Sequence, residues 1–128
     1  MDEKRAKKIL IVEDDPDVHE MLRGFMRICG FESEGVRTGS EALNFIYDKN
    51  KKYDLYIIDY ALSDINGFEI YKELRTVESS APVIFYTSFQ RLVSARTNGV
   101  DDPNVYIFPK TSSPEKLTAL VKNLLDKG

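Results

Sequence analysis

Four runs of consecutive apolar residues, at 9–12, 55–58, 83–86 and 105–108, constrain this chain more than any other feature. Each is rich in β-branched or aromatic residues and apolar on both faces, where a strand with one wet face would alternate. Such runs belong between two layers of helices, the setting of a parallel sheet. A fifth run, at 31–36, is broken by Glu32, Ser33 and Glu34 and must tolerate water, which assigns it to a sheet edge. Helical spacings lie between the runs. Val18, Met21, Leu22, Phe25, Met26 and Cys29 share one face of a helix with Pro16 near its start and Gly30 just past its end. Leu117, Leu120, Val121, Leu124 and Leu125 repeat the pattern behind Ser113 as N-cap and Pro114 at the first helical position. Ala42, Leu43, Ile46 and Tyr47 predict a shorter helix, and Ile70, Tyr71, Leu74 and Val77 another. A fifth, over 89–97, has the thinnest apolar stripe and is stopped by Asn98-Gly99.

Strand and helix therefore alternate five times. Right-handed crossovers turn that order into one α/β domain, a three-layer, doubly wound, flavodoxin-like fold with a five-stranded parallel sheet and five helices. The expected strand order is 2-1-3-4-5, with residues 1–7 as a charged tail. Ligands of such sheets bind at the carboxyl ends of the strands, beside the reversal between strands 1 and 3.

Composition narrows the function. A length of 128 residues with 42% hydrophobic content supports one core without disulfide or metal staples. Eighteen Lys and Arg against 21 Asp and Glu leave no basic excess, so no direct nucleic-acid partner is expected. Cys29 has no second cysteine to pair with and, set among Phe25, Met26 and Ile28, reads as a small buried hydrophobe in a reducing, cytoplasmic setting. No apolar run reaches the length of a signal peptide or a membrane span, so no membrane association is expected. Neither G-x-G-x-x-G nor a Walker A pattern supports dinucleotide or nucleoside triphosphate binding.

The informative residues follow the strands. Strand 1 runs into Glu13, Asp14 and Asp15, strand 3 into Asp59, strand 4 into Thr87 and Ser88, and strand 5, after Pro109, into Lys110. With strands 1 and 3 adjacent, Asp14 and Asp59 become neighbours. Crowded carboxylates repel, and a divalent cation among them relieves the repulsion. Oxygen ligands without His or Cys favour Mg2+, with Mn2+ or Ca2+ as alternatives. A carboxylate facing a hydroxyl and an ammonium beside such an ion has the parts for nucleophilic phosphoryl transfer. Asp59, alone at the end of a central strand, is the best nucleophile, while Glu13 and Asp14 form a metal-holding pair.

Taken in order, the stretch 9–16, the stretch 53–59, Asn66-Gly67-Phe68-Glu69, Tyr86-Thr87-Ser88 and Lys110 resemble the receiver (phosphoacceptor) domain of two-component response regulators over nearly the whole chain. The resemblance implies that Asp59 accepts phosphate from the phosphohistidine of a sensor histidine kinase or phosphotransfer protein. It implies that Glu13 and Asp14 hold Mg2+ together with Asp59 and the backbone carbonyl of Ala61. It also implies that Thr87 and Lys110 read the phosphoryl group and pass its presence, through the face built by the fourth helix, fifth strand and fifth helix, to a downstream protein, an effector domain or a second copy in a phosphorylation-dependent dimer. On this reading the chain is no enzyme beyond its own Mg2+-dependent phosphorylation.

The sequence departs from the family pattern at three places. Ser63 stands where the family usually has Pro, four residues past the phosphoacceptor. Thr111 stands where a cis Pro usually follows the active-site Lys; a cis bond there costs about 3–4 kcal/mol, so either trans geometry or a strained exception is expected. Ile107 occupies the usual position of the switch aromatic, and alternation points Tyr106 to the opposite face unless a bulge near Pro109 intervenes. These departures motivate an alternative, a pseudo-receiver interaction module without phosphorylation-dependent switching. An aspartate-nucleophile phosphatase is disfavoured because Ala61 stands where its second acid belongs. His19, one position off the apolar stripe, reads as solvent-facing; Tyr53, Tyr56 and Tyr60 as packing; Lys49, Lys51 and Lys52 as a solvated turn.

Overall fold

The structure, a computed structural model, describes residues 6–89, 92–94 and 101–126. Five strands, β1 (Lys8–Val12), β2 (Glu32–Val36), β3 (Leu55–Ile58), β4 (Val83–Thr87) and β5 (Val105–Pro109), form one parallel sheet in the order β2-β1-β3-β4-β5. The expected order is the observed one, with the reversal between β1 and β3. Among the described residues the complete helices are α1 (Pro16–Ile28), α2 (Gly39–Tyr47), α3 (Gly67–Val77) and α4 (Pro114–Leu125). Of the further helix predicted over 89–97, residues 92–94 are helical and Val93 N–H donates to the Phe89 carbonyl; the remainder of it lies largely outside the described residues.

Local chemistry starts each helix where the strands release the chain. Asp15 caps α1 by accepting from the N–H groups of Asp17 and Val18, and Thr38, Asn66 and Ser113 cap α2, α3 and α4 in the same way. Pro16 and Pro114 occupy first-turn positions whose missing N–H costs nothing.

The sheet separates two cores. On one side Leu10, Val12, Tyr56, Ile58 and Phe85 pack against α2 and α3 through Ala42, Ile46, Ile70 and Leu74. On the other Ile9, Ile11, Ile57, Ile84 and Tyr86 meet Leu22 and Met26 of α1 and Leu117 and Val121 of α4. The continuous apolarity of β1, β3 and β4 fills both layers at once, and every residue of β3 and β4 is buried.

Three expectations need correction. All five residues of β5 are partly exposed, because it is an edge strand paired only to β4 and not a strand enclosed on both sides. Cys29 caps the end of α1 half-buried instead of sitting in the core, where the helix has turned Ile28 to solvent. His19 is buried, only 7% exposed, because Gly35 on β2 leaves it room: a Cβ there would lie 2.1 Å from His19 Nε2. Tyr53, Tyr56 and Tyr60 are buried packing residues as expected. At the N-terminal tail, Lys7 already joins the sheet, its carbonyl accepting from Glu32 N–H at 2.9 Å.

Candidate functional site

The sheet delivers its acids by backbone hydrogen bonds that extend the ladder one residue beyond each strand. Glu13 N–H donates to the Val36 carbonyl at 3.1 Å and Asp59 N–H to the Val12 carbonyl at 2.9 Å, which fixes both residues at the carboxyl edge. Glu13, Asp14 and Asp59 each present a carboxylate oxygen, and the three lie within 4.8 Å of one another. Glu13 and Asp59 are 1% and 4% exposed, and Asp14 is half-buried. Lys110 reaches over from the end of β5. Its Nζ lies 2.9 Å from Asp59 Oδ2 and 2.9 Å from Glu13 Oε1, the latter an ion-pair contact without hydrogen-bond geometry.

The remaining oxygens of both acids are held by short-range donors. Asp15 N–H donates to Glu13 Oε2 at 3.0 Å and Ala61 N–H to Asp59 Oδ1 at 3.0 Å. Burial drives the Glu13 carboxyl up to about 7, against the Asp15 hydrogen bond and the neighbouring Lys110 ammonium and with the Asp59 charge adding to the rise. For Lys110 burial works to lower the value, but the Asp59 hydrogen bond and the contacts with the Asp59 and Glu13 carboxylates outweigh it and hold the ammonium above its ordinary range. Among the described residues, Lys110 is the cation paired with these carboxylates. An all-oxygen donor set, a buried Glu13 Oε1 without a hydrogen-bond donor and mutual crowding suit a hard divalent cation.

Thr87 ends β4, is fully buried, and accepts from Phe89 N–H at 3.1 Å through Oγ1, so its hydroxyl proton remains available. Lys110 N–H donates to the Thr87 carbonyl at 3.2 Å, tying the two strand ends together. No cis peptide bond occurs among the described residues, so Lys110–Thr111 is trans. Tyr106 packs with Phe108 on the side of α1 and α4, whereas Ile107 faces α2 and α3, as strict alternation requires; no bulge reverses it.

Two supporting residues escaped sequence reading. His19 Nδ1 lies 3.1 Å from the Glu13 carbonyl, underneath the acidic loop. Gly35, a glycine inside an edge strand, was the available signal. Asp64, in the loop after Asp59, accepts from Gly39 and Ser40 N–H and from Ser40 Oγ at 2.8–3.0 Å, joining this loop to the start of α2. Those bonds lower its carboxyl to about 2. Its contact spans 25 positions and has no local signature.

Residues 9–122 match the family of response regulator receiver domains. Among curated relatives, the chain is 31% identical over 118 residues to response regulator MprA of Mycobacterium sp. (strain KMS), covering 92% of this chain and 50% of that protein. It is 32% identical over 125 residues to a CpxR homolog, a transcriptional regulatory protein of Haemophilus influenzae, covering 94% and 51%. The chain thus spans about half the length of the curated relatives it matches. Among solved structures, response regulator TrrA of Thermotoga maritima in complex with Mg2+-BeF superposes with a TM-score of 0.79 at 28% identity over 93% of this chain and 99% of that one. The non-phosphorylated HemR receiver domain of Leptospira biflexa superposes with a TM-score of 0.81 at 26% identity, over 92% and 93%.

Proposed function

The chain belongs to the response regulator receiver domain family, and on that premise we propose that Asp59 accepts a phosphoryl group from the phosphohistidine of a sensor histidine kinase or phosphotransfer protein. The observation that carries this reading is the Lys110 ammonium 2.9 Å from both Asp59 and Glu13, with three carboxylates gathered beside the sheet's reversal point. An Asp59 oxygen attacks phosphorus; the P–O bond forms as the P–N bond breaks, and the bonding pair leaves with the imidazole. Lys110 then pairs with one phosphoryl oxygen and the Thr87 hydroxyl donates to another.

Glu13, Asp14 and Asp59, with the Ala61 carbonyl, would hold Mg2+, which when bound neutralises charge on the phosphoryl oxygens. Residues 1–128 act as one cytoplasmic receiver domain, with no catalysis beyond this self-phosphorylation. Its output is a changed interaction with a downstream protein, effector domain or second copy. With Tyr106 turned towards α1 and α4, the phosphoryl signal leaves through Thr87, the Phe89 backbone bonded to it, and Lys110.

The same placement of Tyr106 favours a second reading, a pseudo-receiver that engages partners constitutively. Acetyl phosphate with Mg2+, followed by intact mass spectrometry, separates the two. The receiver accumulates a phosphoryl adduct that is lost on chelating Mg2+ and in Asp59→Asn; a pseudo-receiver shows no adduct in any arm.

A further inference from the structure

A buried histidine stands directly beneath the acidic loop and takes no part in the chemistry assigned to Asp59. His19, in the first turns of α1, donates its own N–H to the Asp15 carbonyl at 2.9 Å, and its Nδ1 lies 3.1 Å from the Glu13 carbonyl. A carbonyl only accepts, so Nδ1 carries the proton of that bond. On its far side the ring fills a slot on β2. A Cβ at Gly35 would lie 2.1 Å from Nε2 and 2.5 Å from Cε1, so the place exists because that residue has no side chain. Gly35 pairs with Ile11 in the sheet, one residue before the Val36 carbonyl that receives Glu13 N–H at 3.1 Å. Glu13 is thereby held at both main-chain groups, by β2 through its N–H and by α1 through its carbonyl.

Asp14 depends on that hold. Among the described residues it makes no hydrogen bond of its own, so the direction of its carboxylate is set by the two peptides that flank it. The peptide after it is pinned by Asp15 N–H on Glu13 Oε2 at 3.0 Å, and the peptide before it by His19 on the Glu13 carbonyl. Only the second pin comes from outside the loop. A partner of this kind, which orients the groups that hold a metal, accounts for about 10- to 100-fold in metal affinity.

We propose that His19 is a positioning residue for the Mg2+-holding pair Glu13 and Asp14, its Nδ1–H fixing the peptide between them so that Asp14 stays gathered with Asp59, and Gly35 providing the room that admits the ring. This rests on the Mg2+ assignment above. The test titrates Mg2+ into the ¹⁵N-labelled chain, following the Asp14 and Asp59 amides, for the parent, His19→Leu and His19→Asn at one pH, each first shown to be folded by urea denaturation. The expected result is an Mg2+ Kd raised about tenfold in His19→Leu and restored to within about threefold of the parent in His19→Asn, whose side-chain amide can donate from the place of Nδ1. With Mg2+ saturating, acetyl phosphate labels Asp59 at the parent rate in both variants. The ring ¹⁵N resonances of the metal-free parent place a proton on Nδ1. Gly35→Ala, which closes the slot, weakens Mg2+ as His19→Leu does and carries the test if that variant does not fold. A parent that takes up no Mg2+ overturns the metal assignment and this one together. Where the parent binds, overturning results for His19 alone are parent-like affinity in folded His19→Leu or Gly35→Ala, a loss that His19→Asn does not restore, or an Nδ1 without its proton.

Discussion

At the carboxyl edge of the sheet Glu13 and Asp59 each spend one oxygen on a backbone N–H and hold the other towards Lys110, whereas at the amino edge Asp48, Asp54, Glu78 and Asp102 are all bonded by main-chain donors. The carboxyl edge gathers three carboxylates within 4.8 Å of one another, and the amino edge spreads its acids over separate main-chain donors. Composition alone does not reveal that difference, because it depends on which groups the fold brings together.

Removing the cation paired with Asp59 should break the comparison most sharply. Lys110→Met is expected to lower the rate of Asp59 labelling by acetyl phosphate about 10²- to 10³-fold, measured by intact mass against time. Next is the packing that fixes Asp59. A Cβ at Gly67 would sit 2.7 Å from the Asp59 carbonyl oxygen and 2.8 Å from Tyr60 Cα, so Gly67→Ala should cost about 3 kcal/mol in urea denaturation. At the amino edge, Asp102 accepts from Arg75 Nε at 2.8 Å and from the Tyr71 hydroxyl at 2.7 Å, holding the approach to β5 against α3. Asp102→Ala strands the Arg75 charge and should cost about 2 kcal/mol by the same measurement, with Asp59 labelling retained. The smallest effect belongs to Asp64. Its carboxyl is held near 2 in the fold against an ordinary 3.8, so its contribution is present above that ordinary value and is lost as pH falls through the folded one. An acid titration should show Asp64→Asn and the parent converging towards pH 2 and diverging above 4.

The strand runs, their order and the residues at their ends were legible because each depends on chain-local pattern: unbroken apolarity, a cap, a proline, then an acid. Glu13, Asp14, Asp59, Thr87 and Lys110 could be gathered from topology alone, since a parallel sheet brings its strand ends to one edge. Tyr106 and Ile107 followed from alternation. What stayed hidden depends on gaps and distant donors. His19 is buried because Gly35, on another element, has no side chain; Asp64 caps a helix that precedes it by 25 positions; and β5 is half-open because nothing pairs beyond it. A cavity lined by Tyr47, Tyr53 and Tyr56 needs the ends of α2 and α3 and the start of β3 at once.

Gly67 N–H donates to the Tyr60 carbonyl at 2.8 Å, closing the segment 60–66 into a bracket whose two feet cannot spread. Among the described residues, Asp64 is that bracket's side-chain tether to another helix. The loop that follows Asp59 is thereby clamped at both ends and moored in its middle to the first turn of α2, so a variant that cut the mooring would free the loop's flank while leaving its two feet joined.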